Sequence, residues 1–470
     1  MLPGPVARAA KPVEEPRAPE ASDEEVLALM HGPVRSWLLS TFGTLTRAQR
    51  LGMSSIAQRK STLLLAPTGS GKTLAAFLSA LDRVMFGPET PGIKVVYVSP
   101  LKALAVDIER NLRAPLVGIG HAAQAEGVKF HEPSVFVRSG DTPQKERAFF
   151  TRVGADIVIT TPESLYLLLT SQPAKHFASV ETVIIDEIHA LAPTKRGSHL
   201  WLTLERLEAL RPKDAPPLQR IGLSATVRPL EPIARVLGGY ASKKVPRPVV
   251  IADAGTRRAI EVSIEVPVED MRVLTNKDDD TGPSSPETKS IWQSIYPRLV
   301  ELIRAHGTTL VFVNSRRLAE RLSLAINELA GEEIALAHHG SIAHDQRTII
   351  EDRLKSGTIP AIIATSSLEL GIDMGAIDLV IQIEAPPTAA AGLQRVGRSG
   401  HRASAVSKGV VIPKFRADLL ACAATVKAMT EGEVEHTFVP DNPLDVLAQQ
   451  IVAIVSMGPI AERDLSLIHI

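Results

Sequence analysis

The chain has 470 residues, enough for about three domains at roughly 150 residues each, and its 44% hydrophobic and 22% charged content is that of an ordinary globular protein. Its 52 basic and 52 acidic side chains cancel, which excludes an overall positive field that would attract nucleic acid. Any contact with nucleic acid must therefore come from local basic clusters or backbone amides. The single cysteine, Cys422, excludes an intramolecular disulfide and favours a reducing, cytoplasmic location. No apolar run approaches the roughly 18 residues that span a bilayer, so no membrane partner is expected.

The first 25 residues are predicted to be a disordered tail. Pro, Glu and Ala alternate from Pro3 to Ser22, which leaves no apolar core for a signal peptide. Because this segment has little apolar surface to offset the entropy lost on ordering, we expect no fixed structure before residue 26.

The segment APTGSGKT (66–73) stands between an apolar run and an amphipathic one that starts at Leu74. A strand that turns through glycines into a helix presents several backbone N–H groups to one anion, and the helix dipole adds to the attraction. In such a loop Lys72 would reach the outer phosphates of a nucleotide, and the Thr73 hydroxyl would bind Mg²⁺. The alternative is an ordinary glycine-rich turn, since Ala66 stands where the usual pattern begins with Gly. The predicted nucleotide-binding residues of this loop are Thr68, Gly69, Ser70, Gly71, Lys72 and Thr73.

Short apolar runs separated by helix-like segments recur from Ser61 to Thr226 and return from Thr309 to Ile383. Near-continuous Val, Ile and Leu runs indicate strands buried on both faces, hence parallel sheets covered by helices. The pattern therefore predicts two α/β lobes.

About a hundred residues after the glycine-rich loop, VIIDEIH (183–189) ends an apolar run in two adjacent carboxylates. Asp186 suits the outer shell of a magnesium ion, which keeps most of its waters. Glu187 suits the orientation and deprotonation of a water that attacks the γ-phosphate. A solvated strand end is the alternative for this pair alone. Following a phosphate loop, the pair indicates an NTPase.

Asn276 to Ser290 (NKDDDTGPSSPETKS) is polar, acidic and rich in helix breakers, which predicts a flexible linker between the lobes. After about residue 420 the pattern becomes mostly helical. An apolar stripe in NPLDVLAQQIVAIVS (442–456) is more often core than a binding face, so it needs a packing partner. The chain ends soon afterwards, and we expect that the partner is missing and the protein truncated. The stripe consists of Leu444, Leu447, Ile451 and Ile454.

In order and spacing these motifs resemble those of superfamily 2 helicases, specifically the large-helicase-related (Lhr) family, over residues 40 to about 455. The resemblance implies two tandem RecA-like domains of the P-loop NTPase class, followed by the start of a helical winged-helix domain. The second lobe supplies LVFVNSRR (310–317), HHGS (338–341), TSSLELGID (365–373) and LQRVGRSGHR (393–402). The implied domains are an ATP-binding domain at 26–245, a connecting segment at 246–290, a second helicase domain at 291–420 and an incomplete winged-helix domain at 421–470.

The resemblance assigns further residues to the nucleotide. FGTLTRAQ (42–49) is similar to the adenine-reading segment of such helicases, in which Gln49 would bond the adenine edge and select ATP over GTP. Taken alone, Gln49 would be a surface helix residue. Gly371 and Asp373 would reach the ribose and phosphate side of the nucleotide.

Arg395 and Arg398 lie three residues apart, so both could face the nucleotide from one side of a helix. Phosphoryl transfer spreads negative charge over the γ-phosphate, and an inserted guanidinium stabilises that charge. We predict that Arg398 is the main catalytic arginine and that Arg395 assists or pairs locally; solvated helix arginines are the alternative. Many superfamily 2 members have a third arginine where this chain has His401, followed by Arg402.

The resemblance also implies a surface for nucleic acid. SPLKALAVD (99–107) and TTPESL (160–165) follow strand-like runs, and in this family such segments hold the nucleic-acid backbone. Hydroxyls and N–H groups at helix starts contact phosphates without reading bases, although a plain capping turn would look the same. The implied contact residues are Pro100, Lys102, Thr161, Pro162, Asn314, Thr365 and Ser366.

Two shorter segments resemble further helicase motifs. SGDTPQKER resembles another backbone-contacting loop, although its Arg147 could be merely solvated. LSAT resembles the segment that links the ATP state to lobe movement, in which Ser224 and Thr226 would bond the acidic motif. Plain hydroxyl turns have the same pattern.

The adjacent His338 and His339 suggest a metal site, but no Cys or carboxylate cluster in the sequence completes one. An orienting hydrogen bond or a contact with nucleic acid is the better interpretation.

Together the motifs predict an ATP-driven translocase and helicase with ATP and Mg²⁺ between the lobes. The resemblance implies single-stranded DNA as the track, 3′-to-5′ movement, and unwinding of DNA or DNA:RNA duplexes. Two alternatives stay open. One is an RNA-dependent ATPase that remodels RNA. The sequence DEIH differs from the common DEAD and DEAH versions, and motif resemblance does not distinguish an RNA strand from a DNA strand. The other is an ATP-gated nucleic-acid clamp that does not unwind.

Overall fold

The computed structural model describes residues 15–67, 69–225, 227–242, 245–255, 259–271, 290–369, 375–400, 406–461 and 465. Within them the chain forms two α/β lobes, each built on a parallel sheet with a hydrophobic core on either face. This confirms the two predicted parallel-sheet domains. No helix in the described residues combines the length and the apolar character needed to cross a bilayer.

The helices and strands of the first lobe alternate along most of its length. In chain order they are α1 Asp23–Leu27, α2 Gly32–Phe42, α3 Arg47–Ala57, β1 Thr62–Leu65, α4 Lys72–Phe86, β2 Val95–Val98, α5 Lys102–Ala125, β3 Val135–Arg138, α6 Gln144–Val153, β4 Ile157–Thr160, α7 Pro162–Leu169, a 3-10 helix Gln172–Ser179, β5 Thr182–Ile185, α8 Ile188–Leu191, α9 Lys195–Leu210, β6 Gln219–Ser224, α10 Glu231–Gly238, β7 Tyr240–Ser242, β8 Val245–Pro246 and β9 Val250–Asp253.

Seven strands of the first lobe form one parallel sheet in the order β3-β4-β2-β5-β6-β1-β9, while β7 and β8 pair separately. Strands β1, β2, β4 and β5 are buried along their whole length, as expected for strands covered on both faces. Side chains alternate between the two faces. In β2, Tyr97 therefore packs on the face that carries Phe77 of α4, and Val96 and Val98 pack on the other face. The loops that follow the strands meet at one edge, where open α/β sheets bind ligands.

The N-terminal segment is ordered from residue 15 onward, which corrects the prediction of disorder for that part of residues 1–25; the earlier part lies outside the described residues. The segment runs along the sheet edge, where Ala18 N donates to Ile251 O at 2.9 Å and Ile251 N donates to Pro16 O at 2.8 Å. The composition of the segment did not indicate that it is ordered, because backbone hydrogen bonds to an existing strand need no apolar side chains.

The same segment anchors α3. Ser22 and Glu25 form a reciprocal capping box at the start of α1. Just before it, Glu20 pairs with Arg47 at 3.3 Å and with Arg50 at 3.2 Å, and both arginines lie on α3. The helix that carries Gln49 is thus held from its outer side by the N-terminal segment.

The second lobe repeats the alternating pattern. Its elements are β10 Ile260–Ile264, α11 Trp292–Arg304, β11 Thr309–Phe312, α12 Arg316–Ala330, β12 Ala335–His338, α13 His344–Lys355, β13 Ala361–Ala364, a 3-10 helix Ser366–Leu368, β14 Leu379–Ile383, α14 Ala389–Val396, β15 Ser407–Ile412, α15 Arg416–Glu431 and α16 Leu444–Val455. The parallel sheet has the order β10-β15-β14-β11-β13-β12.

The lobe boundaries differ from the predicted ones. Strand β9 pairs with β1, and β10 pairs with β15, so the predicted connecting segment 246–290 contains one strand of each sheet. Strand β10 has no fully buried residue, which hid it among polar residues, whereas β9 is a short apolar run that the sequence analysis did not assign to the first sheet. Helix α15 packs against α14 and β10, so the second lobe extends beyond the boundary predicted at residue 420. The acidic stretch of the predicted linker lies outside the described residues.

After α15 the chain returns from the second lobe to the first over a few residues. Glu435 accepts hydrogen bonds from the backbone N–H groups of the first two residues of α14, at 2.5 and 3.2 Å. Two residues later Thr437 N donates to Arg228 O of the first lobe at 2.8 Å. We refer to residues 435–437, which bind both lobes, as the strap.

Helix α16 packs on α9 of the first lobe, and its buried face is not the predicted one. The buried residues are Val446, Gln450 and Ala453, at the i, i+4 and i+7 spacing of one helix face. In the predicted stripe Leu444 is 73% exposed, which corrects the prediction at that position. The other three stripe residues are half-buried: Leu447, Ile451 and Ile454.

Gln450 explains the difference, because its buried amide is fully used. Arg206 donates to Gln450 Oε1 at 3.0 Å, and Gln450 Nε2 donates to His199 O at 3.1 Å and to Thr203 Oγ1 at 3.0 Å. A polar residue with three such bonds can occupy a core position that a hydropathy pattern assigns to an apolar one.

Gln450→Ala is expected to loosen α16 from the first lobe. The change removes three hydrogen bonds from a buried position, at a cost of about 1–3 kcal/mol. Hydrogen-exchange mass spectrometry should then show faster exchange over residues 444–455 than in the unchanged protein. Gln449→Ala, on the exposed side of the same helix, is the matched control and should leave exchange unchanged. Equal exchange rates in the two variants would contradict the anchoring role.

Candidate functional site

The glycine-rich loop joins β1 to α4 as predicted from the sequence. Gly69 and Gly71 have φ values of +74° and +81°, a region that residues with a side chain rarely adopt. The loop is held closed because Ser70 Oγ donates to Pro67 O at 2.7 Å and Thr46 Oγ1 donates to Ser70 O at 2.7 Å. No side chain caps the start of α4, so its first N–H groups are available to an anion.

Lys72 and the acidic pair meet beneath this loop. Lys72 lies in the first turn of α4, and its Nζ is 3.9 Å from Glu187 Oε1, with both side chains buried. Asp186 follows β5 directly, and its Oδ1 accepts the N–H of Glu187 at 2.9 Å. Glu187 has a φ of +44°, which is unusual for a residue with a side chain and is typical of strained functional positions.

Burial and charge set the protonation of the acidic pair. Burial and the neighbouring Glu187 raise the pKa of Asp186 above its ordinary value, while Lys72 opposes this shift. Burial also acts to raise the pKa of Glu187, but the charges of Lys72 and Arg398, together with the neighbouring His189, outweigh burial and lower that pKa. Burial lowers the pKa of His189, so this imidazole is neutral at neutral pH. Glu187 is ionised there, in the form that can accept a proton from water.

The groups at this site fit a magnesium–nucleotide complex. Glu187 Oε2 is buried and accepts no hydrogen bond within the described part of the chain, and His189 Nδ1 lies 3.5 Å from it. The Thr73 hydroxyl and the Asp186 carboxylate offer the oxygen ligands that Mg²⁺ prefers. The Lys72 ammonium offers a counter-charge for phosphate. When bound, Mg²⁺ would neutralise charge on the phosphates.

Gln49 lies against the phosphate loop and is not a surface residue. Its side chain is 3% exposed, which excludes the alternative of a solvated helix residue. Gln49 Oε1 accepts the N–H of Thr46 at 2.8 Å in a capping box. Its Nε2 lies 2.8 Å from the place where a Cβ on Gly71 would stand, so any side chain at Gly71 would displace it. The role of Gln49 in reading adenine stays a prediction.

A polar side-chain contact crosses the cleft between the lobes at the acidic motif. Gln394 Nε2 of α14 is 2.8 Å from His189 Nε2 of the first lobe. His189 Nδ1 accepts the N–H of Ala225 at 3.3 Å and lies 3.3 Å from Ser224 Oγ. Ser224 thus lies beside the acidic motif, and its role in linking the ATP state to lobe movement stays a prediction. Sequence reasoning missed Gln394 and His189, although Gln394 stands one helical turn before Arg398 in the same motif.

The two predicted arginines occupy different environments. Arg398 Nη2 donates to Glu369 O at 2.8 Å, and the charge of Arg398 acts on Glu187 in the opposite lobe. Arg395 is buried inside the second lobe, where it pairs with Glu369 at 2.9 Å and donates to Gln382 Oε1 at 2.7 Å. The structure therefore shows the local pairing that was offered as one role for Arg395, and an assisting catalytic role for it stays a prediction.

The residues predicted to contact nucleic acid follow the carboxyl ends of strands β2 and β4 in the first lobe and β11 and β13 in the second. In each lobe they therefore lie at the edge of the sheet where the strands end. Pro100 and Pro162 are buried, as is Thr161, whose side chain caps α7. Lys102 is exposed and pairs with Asp141 at 2.7 Å. The exposed residues of this edge include Lys102, Asn314 and Ser366, and Thr365 is half-buried.

The remaining side chains from the sequence analysis have local partners. Arg147 donates to Thr142 O at 2.6 Å and so shapes its own loop. His338 pairs with Glu351 at 3.0 Å, and His339 pairs with Glu320 at 2.7 Å. Within the described ranges no group of three or more His, Cys, Asp or Glu side chains is arranged to hold a metal ion.

Several predicted residues lie outside the described residues. They are Thr68, Thr226, Gly371, Asp373, His401 and Arg402.

Comparison with known proteins gives matches across both lobes. A DEAD/DEAH box helicase model matches residues 46–233, and a helicase conserved C-terminal domain model matches residues 294–403. The chain is 48% identical to a Lhr helicase/probable uracil glycosylase of Mycolicibacterium smegmatis, covering 91% of this chain and 29% of that protein. It is 39% identical to the ATP-dependent helicase Lhr-Core protein 2 of Thermococcus barophilus, covering 92% of this chain and 49% of that protein.

A solved structure of Mycobacterium smegmatis helicase Lhr, bound to single-stranded DNA and AMP-PNP, shares the fold with a TM-score of 0.84 and 48% identity. That match covers 95% of this chain and 56% of the other. The chain thus spans 29% and 49% of the lengths of these two curated relatives.

Proposed function

The chain belongs to the large-helicase-related (Lhr) family of superfamily 2 helicases, and from that premise we propose that it is an ATP-dependent helicase whose ATP hydrolysis is stimulated by nucleic acid. We propose single-stranded DNA as its track, 3′-to-5′ as its direction, and DNA or DNA:RNA duplexes as what it unwinds.

The observation that carries this proposal is the division of the nucleotide site between the lobes. The first lobe contributes the phosphate loop with Lys72 and the water-activating Glu187. The second lobe brings Gln394 into contact with His189 and places the charge of Arg398 close enough to influence Glu187. A site built from two halves is complete only when the lobes are together, so hydrolysis becomes conditional on closure.

Closure in turn links hydrolysis to the nucleic acid. The exposed residues at the strand ends of both lobes, Lys102, Asn314 and Ser366, would bind one strand across the cleft. A strand bound to both lobes favours the closed state, and hydrolysis followed by release would reopen it. Support for DNA as the strand comes from the Mycobacterium smegmatis relative, whose solved structure holds single-stranded DNA together with AMP-PNP.

ATPase rates measured without nucleic acid, with single-stranded DNA and with RNA of the same sequence test the proposal. We expect a clear rise with the DNA strand and a smaller one with RNA. A larger rise with RNA would favour an RNA-dependent ATPase, and no rise with either strand would contradict coupling. Lys72→Ala, which removes the phosphate-binding ammonium, is the control for contaminating activity.

Duplexes with a 3′ or a 5′ single-stranded tail test direction, and replacing one strand by RNA tests the duplex type. We expect displacement only from the 3′-tailed substrates, for both DNA and DNA:RNA. Tight ATP-dependent binding without displacement would instead identify a nucleic-acid clamp.

A further inference from the structure

We propose that Tyr97 is a positioning residue that fixes the Asp186 carboxylate for the magnesium ion of the nucleotide site. This inference rests on the proposed function, because it concerns how the same site holds its metal. Tyr97 does not belong to any of the helicase motifs, and it would not touch the nucleotide.

The ring of Tyr97 is immobilised in the core of the first lobe. Tyr97 lies in β2, paired in register with Ile184 of β5, and its side chain is 0% exposed. The ring stacks on Phe77 of α4, with 4.9 Å between the ring centroids and 17° between the planes. Helix α4 begins at Lys72, so the stack ties Tyr97 to the helix that starts at the phosphate loop.

The hydroxyl of Tyr97 donates a hydrogen bond to Asp186 Oδ2, and the other carboxylate oxygen, Oδ1, accepts the N–H of Glu187 at 2.9 Å. Each oxygen of Asp186 thus accepts one hydrogen bond, from a different donor. An ionised carboxylate has about four acceptor positions. Two donors fix its rotation and still leave one acceptor position on each oxygen for a water of the magnesium shell.

Asp186 needs this support because it is buried. The Asp186 side chain is 3% exposed, and a buried carboxylate is costly to keep charged. A hydrogen bond donated to the charged form stabilises that form. Groups that hydrogen-bond to metal ligands in this way orient the ligands, and losing one typically lowers metal affinity.

The residue type itself points beyond packing. Strand β2 reads VVYV, and a phenylalanine would fill the same space between α4 and the sheet and keep the stack on Phe77. The hydroxyl adds nothing to the apolar contacts; its bond to Asp186 is what distinguishes Tyr from Phe at this position. A purely structural role and a positioning role therefore differ in one property, the dependence of nucleotide binding on Mg²⁺.

Tyr97→Phe tests the proposal, with binding of a fluorescent, non-hydrolysable ATP analogue as the readout. The affinity is measured first with EDTA and then over a Mg²⁺ titration. We expect the Mg²⁺ concentration that gives half of the maximal increase in analogue affinity to rise roughly tenfold. The affinity for the analogue in EDTA should stay unchanged. Tyr240→Phe, which removes a hydroxyl from β7 away from the site, is the matched control and should titrate as the unchanged protein does.

A double variant separates the positioning role from a general loss of stability. In an Asp186→Asn background Tyr97→Phe should cause no further change in the Mg²⁺ dependence, because the group that Tyr97 positions is already gone. If Tyr97→Phe alone does not fold, Phe77→Leu keeps the hydroxyl but frees the ring, and it should also raise the Mg²⁺ requirement.

An unchanged Mg²⁺ titration in a folded Tyr97→Phe protein, or in Phe77→Leu where that variant replaces it, would overturn the inference while leaving the proposed function intact. If the unchanged chain shows no Mg²⁺-dependent binding of the analogue, the nucleotide site itself is rejected and the inference falls with it.

Discussion

Replacing Arg398 with alanine is expected to lower the ATP turnover number about a thousandfold or more. An inserted guanidinium stabilises the charge that develops on the γ-phosphate, and Arg398 is the second-lobe cation whose charge reaches Glu187 across the cleft. Its hydrogen bond to Glu369 O keeps the side chain at the cleft wall. Steady-state ATPase assays with saturating single-stranded DNA measure the loss. Affinity for a non-hydrolysable analogue should change much less, because the phosphate loop is untouched.

Two other arginines of the second lobe make the Arg398 result specific. Arg304→Ala removes an exposed guanidinium that pairs with Glu332 at 3.1 Å and should leave turnover unchanged. Arg395→Ala should instead destabilise the lobe, because it leaves Glu369 without its buried partner. Normal turnover in a folded Arg398→Ala protein would reject the role of Arg398 and, with it, the division of the site between the lobes.

Glu187→Gln is expected to lower turnover by about a hundredfold to ten-thousandfold while nucleotide binding persists. The amide keeps the size of the side chain but cannot accept a proton from the attacking water. Lys72 should hold the phosphates as before, and the loss of one negative charge beside them should make binding of an ATP analogue equal or tighter. Single-turnover hydrolysis and equilibrium binding of the analogue, measured on the same preparation, separate the two effects.

Glu231→Gln is the matched control for this variant. Glu231 is exposed and pairs with Arg17 at 2.9 Å, away from the nucleotide site, so its amide should hydrolyse ATP normally. If Glu187→Gln hydrolyses ATP at the normal rate, Glu187 is not the base. If it also loses nucleotide binding, the change has disturbed the fold at a residue with a φ of +44°.

The two-lobe fold could be predicted from the sequence because its strands are buried on both faces and read as unbroken apolar runs. The phosphate loop was equally clear, since Gly69 and Gly71 adopt backbone conformations that few residues other than glycine can reach. Asp186 and Glu187 could be identified as candidates because two adjacent carboxylates end an apolar run that follows a phosphate loop. These features are local, so a short stretch of sequence contains them.

The features that could not be predicted from the sequence depend on contacts between residues far apart in the chain. Arg395 and Arg398 lie in one motif and carry the same charge, and only the positions of Glu369 and Gln382 show that Arg395 pairs inside its own lobe. The bond between Tyr97 and Asp186 joins residues 89 positions apart in neighbouring strands. The order of the N-terminal segment and the packing of α16 depend on hydrogen bonds to other elements, which hydropathy does not register.

The strap has a geometric consequence for how far the two lobes can separate. The chain crosses between the lobes a first time after β9, and a second time at residues 435–437, where Glu435 is fixed to α14 and Thr437 to Arg228. Two extended residues span at most about 7 Å, so this second joint cannot lengthen while both contacts hold. While both contacts hold, the strap therefore limits how far α14, which carries Gln394, can move away from Arg228 of the first lobe.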